Sequence, residues 1–146
     1  MRDKTTESYR RVYDTKVVGA RALLGSVPGS VGFVVLFGSV SGVFGNRGQV
    51  DYAAANDALD ALARNEGRLA GRVLSIDWGP WGGSGMVSDE LAREYERRGV
   101  GLIDPDDGVA ALCEELAHLR RTGTFEAAQV VIARAHPDAL SGQLSG

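Results

Sequence analysis

The run Val31-Gly32-Phe33-Val34-Val35-Leu36-Phe37, followed at once by Gly38-Ser39, decides the fold. It is continuously apolar and rich in β-branched and aromatic side chains, which suits a strand buried on both faces, and such strands belong to parallel sheets. Downstream, Asp51 to Glu66 reads as a helix stopped by Gly67, and Arg72-Val73-Leu74-Ser75-Ile76-Asp77-Trp78 as a second strand. Upstream, Tyr9, Val12, Tyr13, Val17, Ala20, Leu23 and Leu24 recur at spacings of three and four, predicting a helix over Thr6–Leu24 that Gly25 ends. Ser88 caps a short helix running to Arg97-Arg98-Gly99, and Asp104-Pro105 opens another. The stripe Val109, Leu112, Cys113, Leu116 carries that last helix to Gly123, after which Gln129-Val130-Val131-Ile132-Ala133 forms a third buried strand. Helices alternating with apolar strands predict an α/β layered parallel sheet, with a frayed tail from His136.

Bulk properties narrow the function. The 146 residues fit one domain, with 44% hydrophobic and 24% charged residues, near the soluble average. A net charge of −3 supplies no basic face for nucleic acid. The apolar run Val31–Phe37 is far below the roughly 20 residues needed to cross a bilayer. The opening Met1-Arg2-Asp3-Lys4-Thr5-Thr6-Glu7 has no apolar core and so does not read as a secretory leader, which predicts a cytoplasmic protein. A single Cys113 with His118 and His136 excludes an internal disulfide and predicts no metal site.

Three polar residues stand where the periodicity calls for apolar ones. Lys16 lies seven residues after Tyr9 and seven before Leu23, on the buried stripe of the first helix. Its aliphatic stem could simply pack on the core while the ammonium reaches the edge. Tyr52 and Asn56, four apart, align with Leu59 and Ala63 on the inner face of the second helix, where ring packing and a bond to a backbone carbonyl are the simpler roles. Ser39 ends the first strand at the carboxyl edge of the sheet, where open α/β folds place ligands, although a serine there also serves turns.

Taken together, Ser39-Val40-Ser41-Gly42, Gly48-Gln49 and Tyr52-Ala53-Ala54-Ala55-Asn56 resemble the active-site segment of the short-chain dehydrogenase/reductase superfamily. The ketoreductase domains of modular polyketide and related fatty-acid synthases fit best. Superfamily members place the active serine thirteen positions before the tyrosine, as Ser39 stands to Tyr52. Most carry Tyr-x-x-x-Lys, whereas synthase ketoreductases carry Tyr-x-x-x-Asn with the lysine on the preceding helix, the places of Asn56 and Lys16. Trp78-Gly79-Pro80-Trp81 and Gly85-Met86 resemble the strand end and lid beside the cofactor of these enzymes. The resemblance runs from about Asp3 to Ala133 and implies a partial Rossmann-like, doubly wound parallel sheet.

The implied activity is NADPH-dependent reduction of a β-ketoacyl thioester on an acyl carrier protein to the β-hydroxyacyl thioester. An isolated phenol titrates near 10, and a neighbouring ammonium favours its ionised form. The resemblance makes Tyr52 the proton donor, Lys16 that ammonium and a ligand of the nicotinamide ribose, Ser39 the group orienting the carbonyl, and Asn56 a relay. It assigns Tyr52, Lys16, Gly79 and Pro80 to the cofactor and Phe44, Trp81 and Met86 to the substrate. Phe44 stands eight before Tyr52, where family members that set product handedness carry a tryptophan.

Family members open with a strand and a Gly-rich turn that cradles pyrophosphate. Gly83-Ser84-Gly85-Met86-Val87-Ser88 is the nearest string but maps onto the lid. The expectation is therefore a partial ketoreductase domain over 1–136, the C-terminal half, with a flexible tail over 137–146. The N-terminal half, or other synthase domains, would complete it, and self-association through an open sheet edge is expected. Two rivals stand beside this reading. One is a catalytically inactive structural or docking element. The other is an α/β-hydrolase using Ser39 or Ser41, Asp77 and His136 in that order, although neither serine lies in Gly-x-Ser-x-Gly.

Overall fold

The computed structural model describes residues 4–46, 48–83, 87–135 and 139. Met86, His136 and all of the expected tail except Ala139 lie outside the described residues. Helix α1 spans Thr6–Ser26, started by the Thr5 hydroxyl accepting from the Ser8 amide. Strand β1 (Val34–Ser39) leads directly into a short helix α2 (Val40–Phe44), and α3 covers Val50–Asn65. Strand β2 (Val73–Trp78) follows, then α4 (Asp89–Arg97), β3 (Val100–Gly101) and α5 (Pro105–Thr122). Strands β4 (Gln129–Ile132) and β5 (Arg134–Ala135) come last.

Strands β1, β2 and β4 form a parallel sheet in that order, with Val34 opposite Val73, Ser39 opposite Trp78, and Ser75 opposite Gln129. Alternate residues of β2 serve the two sides. Val73 joins Ala20, Leu24, Leu36, Leu59 and Ala63 in the layer under α1 and α3. Leu74, Ile76 and Trp78 pack with Leu119 of α5, Ile103 and Phe125 on the opposite face. The result is the α/β/α layering of a parallel-sheet fold.

Two expectations are corrected and one element is added. The first strand is not buried on both faces: Phe37 is 52% exposed, because β1 is the margin of the sheet, and β2 is the strand sealed along its whole length. On α5, Val109 and Cys113 face outward, whereas Gly108, Leu112, Leu116 and Leu119 face the core. The helix turns that way because the Trp81 indole lies against Gly108, where an added Cβ would stand 2.4 Å from the ring. Finally, β3 and β5 pair antiparallel, a small second sheet that the apolar pattern does not announce.

Candidate active site

Three elements deliver one polar side chain each to a cavity of about 620 Å3 at the carboxyl end of β1. Ser39 closes β1 and caps α2, and its Oγ accepts from the Ser41 amide at 3.3 Å and the Ser41 hydroxyl at 3.0 Å. With its oxygen engaged twice, the Ser39 proton is left to donate elsewhere. Tyr52 sits in the first turn of α3, and its hydroxyl bonds no described residue. Lys16 reaches in from α1: its ammonium donates to the Phe37 carbonyl at 3.1 Å and stands 5.5 Å from the centre of the Tyr52 ring, within cation–π range. Burial pulls the Lys16 ammonium below the usual lysine range, and the charge of Asp77 partly restores it.

Behind the cavity, α3 and β2 face each other through polar groups. Asn56 is fully buried; its amide donates to the Tyr52 carbonyl at 2.8 Å, and its Oδ1 has no partner among the described residues. One turn on, Asp60 accepts from the Ser75 hydroxyl at 2.6 Å. The Gln129 amide donates to both Asp60 and Asp77, at 2.9 and 2.7 Å. Burial pushes the Asp77 carboxyl up to about 6, with neighbouring Asp60 adding to the effect. Asp60 is likewise raised, chiefly by burial. At the start of α3, Lys4 bonds the buried Asp51, and that bond first of all holds the Asp51 carboxyl below its ordinary range.

Of the residues singled out in the sequence, Lys16, Ser39, Tyr52, Gly79, Pro80 and Trp81 share this cavity. Asn56 and Phe44 do not line it: Asn56 lies beneath it and Phe44 sits half-buried on α2. Asn56 also makes no bond to Lys16, whose acceptor is the Phe37 carbonyl. The wall also holds Gln49, from the Gly48-Gln49 motif, and Tyr95 and Arg98, which sequence reasoning missed. The spacing of Tyr95 and Arg98, three apart near the end of α4, was the available signal. Of the hydrolase arrangement, Ser39 and Ser41 bond each other, Asp77 accepts from Gln129, and His136 lies outside the described residues.

The KR domain family matches residues 1–83. Polyketide synthase GfsA of Streptomyces halstedii is 36% identical over 113 residues, which are 75% of this chain and 2% of that protein. A polyunsaturated fatty acid synthase of a Thraustochytrium species is 39% identical over 106 residues, 72% of this chain and 4% of its own length. Among solved structures, the ketoreductase from the first module of phoslactomycin biosynthesis in Streptomyces sp. HK803 superposes with a TM-score of 0.80 at 31% identity, over 94% of this chain and 31% of that one. The first ketoreductase of the tylosin polyketide synthase gives 0.77 at 34% identity, covering 97% of this chain and 30% of that one. The chain thus spans a small fraction of its synthase relatives and under a third of these ketoreductase structures. Since the family pattern occupies more than half of the sequence and the fold follows its solved ketoreductases almost throughout, the chain belongs to the KR domain family.

Proposed function

We propose that this chain forms the catalytic part of a ketoreductase that reduces the β-keto group of an acyl thioester carried on an acyl carrier protein, with NADPH as reductant. The observation that carries the reading is the meeting of Lys16, Ser39 and Tyr52, from three separate elements, at one cavity. The unengaged Tyr52 hydroxyl donates its proton to the carbonyl oxygen as negative charge builds there. The Lys16 ammonium stands beside the ring, on the side where the negative charge of the reaction develops. Ser39, whose own proton is free, holds the same carbonyl oxygen in place.

The residues present fit the nicotinamide end of the cofactor. Lys16 has used one of three N–H groups on Phe37 and keeps two for ribose hydroxyls, beside a wall formed by Gly79 and Pro80. NADPH, when bound, supplies the hydride. Trp81 and, outside the described residues, Met86 are the proposed substrate contacts, and residues 1–136 the proposed domain, completed by a preceding ketoreductase half. Occurrence of the relatives within polyketide and fatty-acid synthases supports carrier-bound substrates.

The test is Tyr52→Phe in the chain completed by that N-terminal half. Turnover of a β-ketoacyl thioester falls at least about 100-fold, while NADPH affinity by calorimetry is unchanged. Retained turnover refutes Tyr52 as the acid. Absence of both NADPH binding and turnover in the unmutated assembly favours a docking element instead.

A further inference from the structure

We propose that Lys4 and Asp51 are positioning residues: their ion pair ties the first turn of α3 to the start of α1, and so holds Tyr52 where Lys16 meets it, without touching substrate. Helix α3 begins with its amides poorly served. Gln49, at its cap position, makes no side-chain bond to the helix and accepts instead from the Asn46 amide at 2.9 Å. The amides of a first helical turn have no partner within the helix, so another acceptor must be found for them. Asp51, next in the chain to Tyr52, supplies one: its Oδ1 accepts from the Tyr52 amide itself at 2.9 Å. Its Oδ2 accepts from the Lys4 ammonium. One carboxylate, 1% exposed, thus joins the backbone of Tyr52 to a residue 47 positions earlier.

The place of Lys4 gives the bond its consequence. Lys4 directly precedes Thr5, the cap of α1, and α1 carries Lys16. The apolar layer shared by the two helices, with Ala20 and Leu24 against Leu59 and Ala63, lies beyond Lys16 and Tyr52 along both chains. Ahead of them, Lys4 and Asp51 make the tie. A buried carboxylate that loses its cation is left uncompensated, and must take up a proton or turn toward water. Either change loosens its hold on the Tyr52 amide. Lys4 is also the charged side chain that keeps the Asp51 carboxyl below its ordinary range.

The catalytic consequence rests on the ketoreductase reading above, but the tie is measurable in the whole chain without cofactor or substrate. In Lys4→Met, hydrogen exchange of the Tyr52 amide quickens about 10-fold while that of Ile76, in β2, is unchanged. The Asp51 carboxyl midpoint, followed by NMR, rises in the same variant. Lys4→Arg restores both. An unmoved Tyr52 amide, an unmoved Asp51 midpoint, or equal quickening at Ile76 overturns the proposal. In the chain completed by its N-terminal half, Lys4→Met lowers kcat about 10-fold with KM for the β-ketoacyl thioester unchanged, and Lys4→Arg recovers most of the loss. Loss confined to KM, or equal in the two variants, overturns the positioning role. Should Tyr52→Phe retain turnover while Lys4→Met still frees the Tyr52 amide, the ketoreductase reading falls and the tie stands.

Discussion

Asp77 and Asp51 are both almost fully buried, yet their titrations pull stability in opposite directions with pH. The folded chain holds the Asp77 proton up to about pH 6, against 3.8 for a free side chain. Between those values the folded state binds more protons than the unfolded one, so stability falls as pH rises through the window. Asp60, raised by burial, adds in the same direction. Asp51, lowered chiefly by its bond to Lys4, contributes stability above the ordinary carboxylate range and loses it in stronger acid. The urea midpoint of the unmutated chain should therefore decline between about pH 4 and pH 6, and Asp77→Asn should flatten that decline. Lys16 and Tyr52 were legible in the sequence because each stands on an apolar stripe, Ser39 because it ends a buried strand at the carboxyl edge of the sheet, and their grouping because of the family resemblance. Asp60 and Asp77 were not. Ser75 and Asp77 alternate with Leu74, Ile76 and Trp78, which reads as one wet face of a strand. Only the packing of α3 shows that this face is covered, with Asp60 supplying the matching polar group.

Among the elements, burial separates β2 from its neighbours. Ile76 in β2 is fully buried in the layer under α5, whereas Val131 in β4 is 43% exposed. Ile76→Ala should cost about 2–5 kcal/mol and Val131→Ala within about 0.5 kcal/mol, read from urea unfolding. The long helices and the three parallel strands were legible because their periodicity extends over many residues. Helix α2, with five residues, is shorter than a periodic signal requires, and it forms because Ser39 both ends the strand and caps the next turn. The buried face of α5 was legible at Leu112 and Leu116 but not at Gly108, which has no side chain to register as apolar. Its value is the space it leaves for Trp81.

For the molecule as a whole, the margin at β1 matters most. In a parallel ladder the amides and carbonyls of alternate residues point to opposite sides. The Val34 amide bonds toward β2, so those of Val35 and Phe37 point to the free edge, beside exposed Phe33 and Phe37. An apolar edge of this kind is a template for another strand. Sedimentation should show concentration-dependent association of the isolated chain, reduced by Phe33→Lys, and a monodisperse monomer at high concentration would contradict this. The cavity wall has a different consequence. Trp78 and Trp81 stand 4.8 Å apart with their rings tilted by 60°, and Phe37 stands 5.5 Å from Trp78. Indoles held so close and so steeply inclined couple their electronic transitions. The molecule therefore carries an intrinsic circular-dichroism signature in the near ultraviolet, written by two chromophores that line its own cavity.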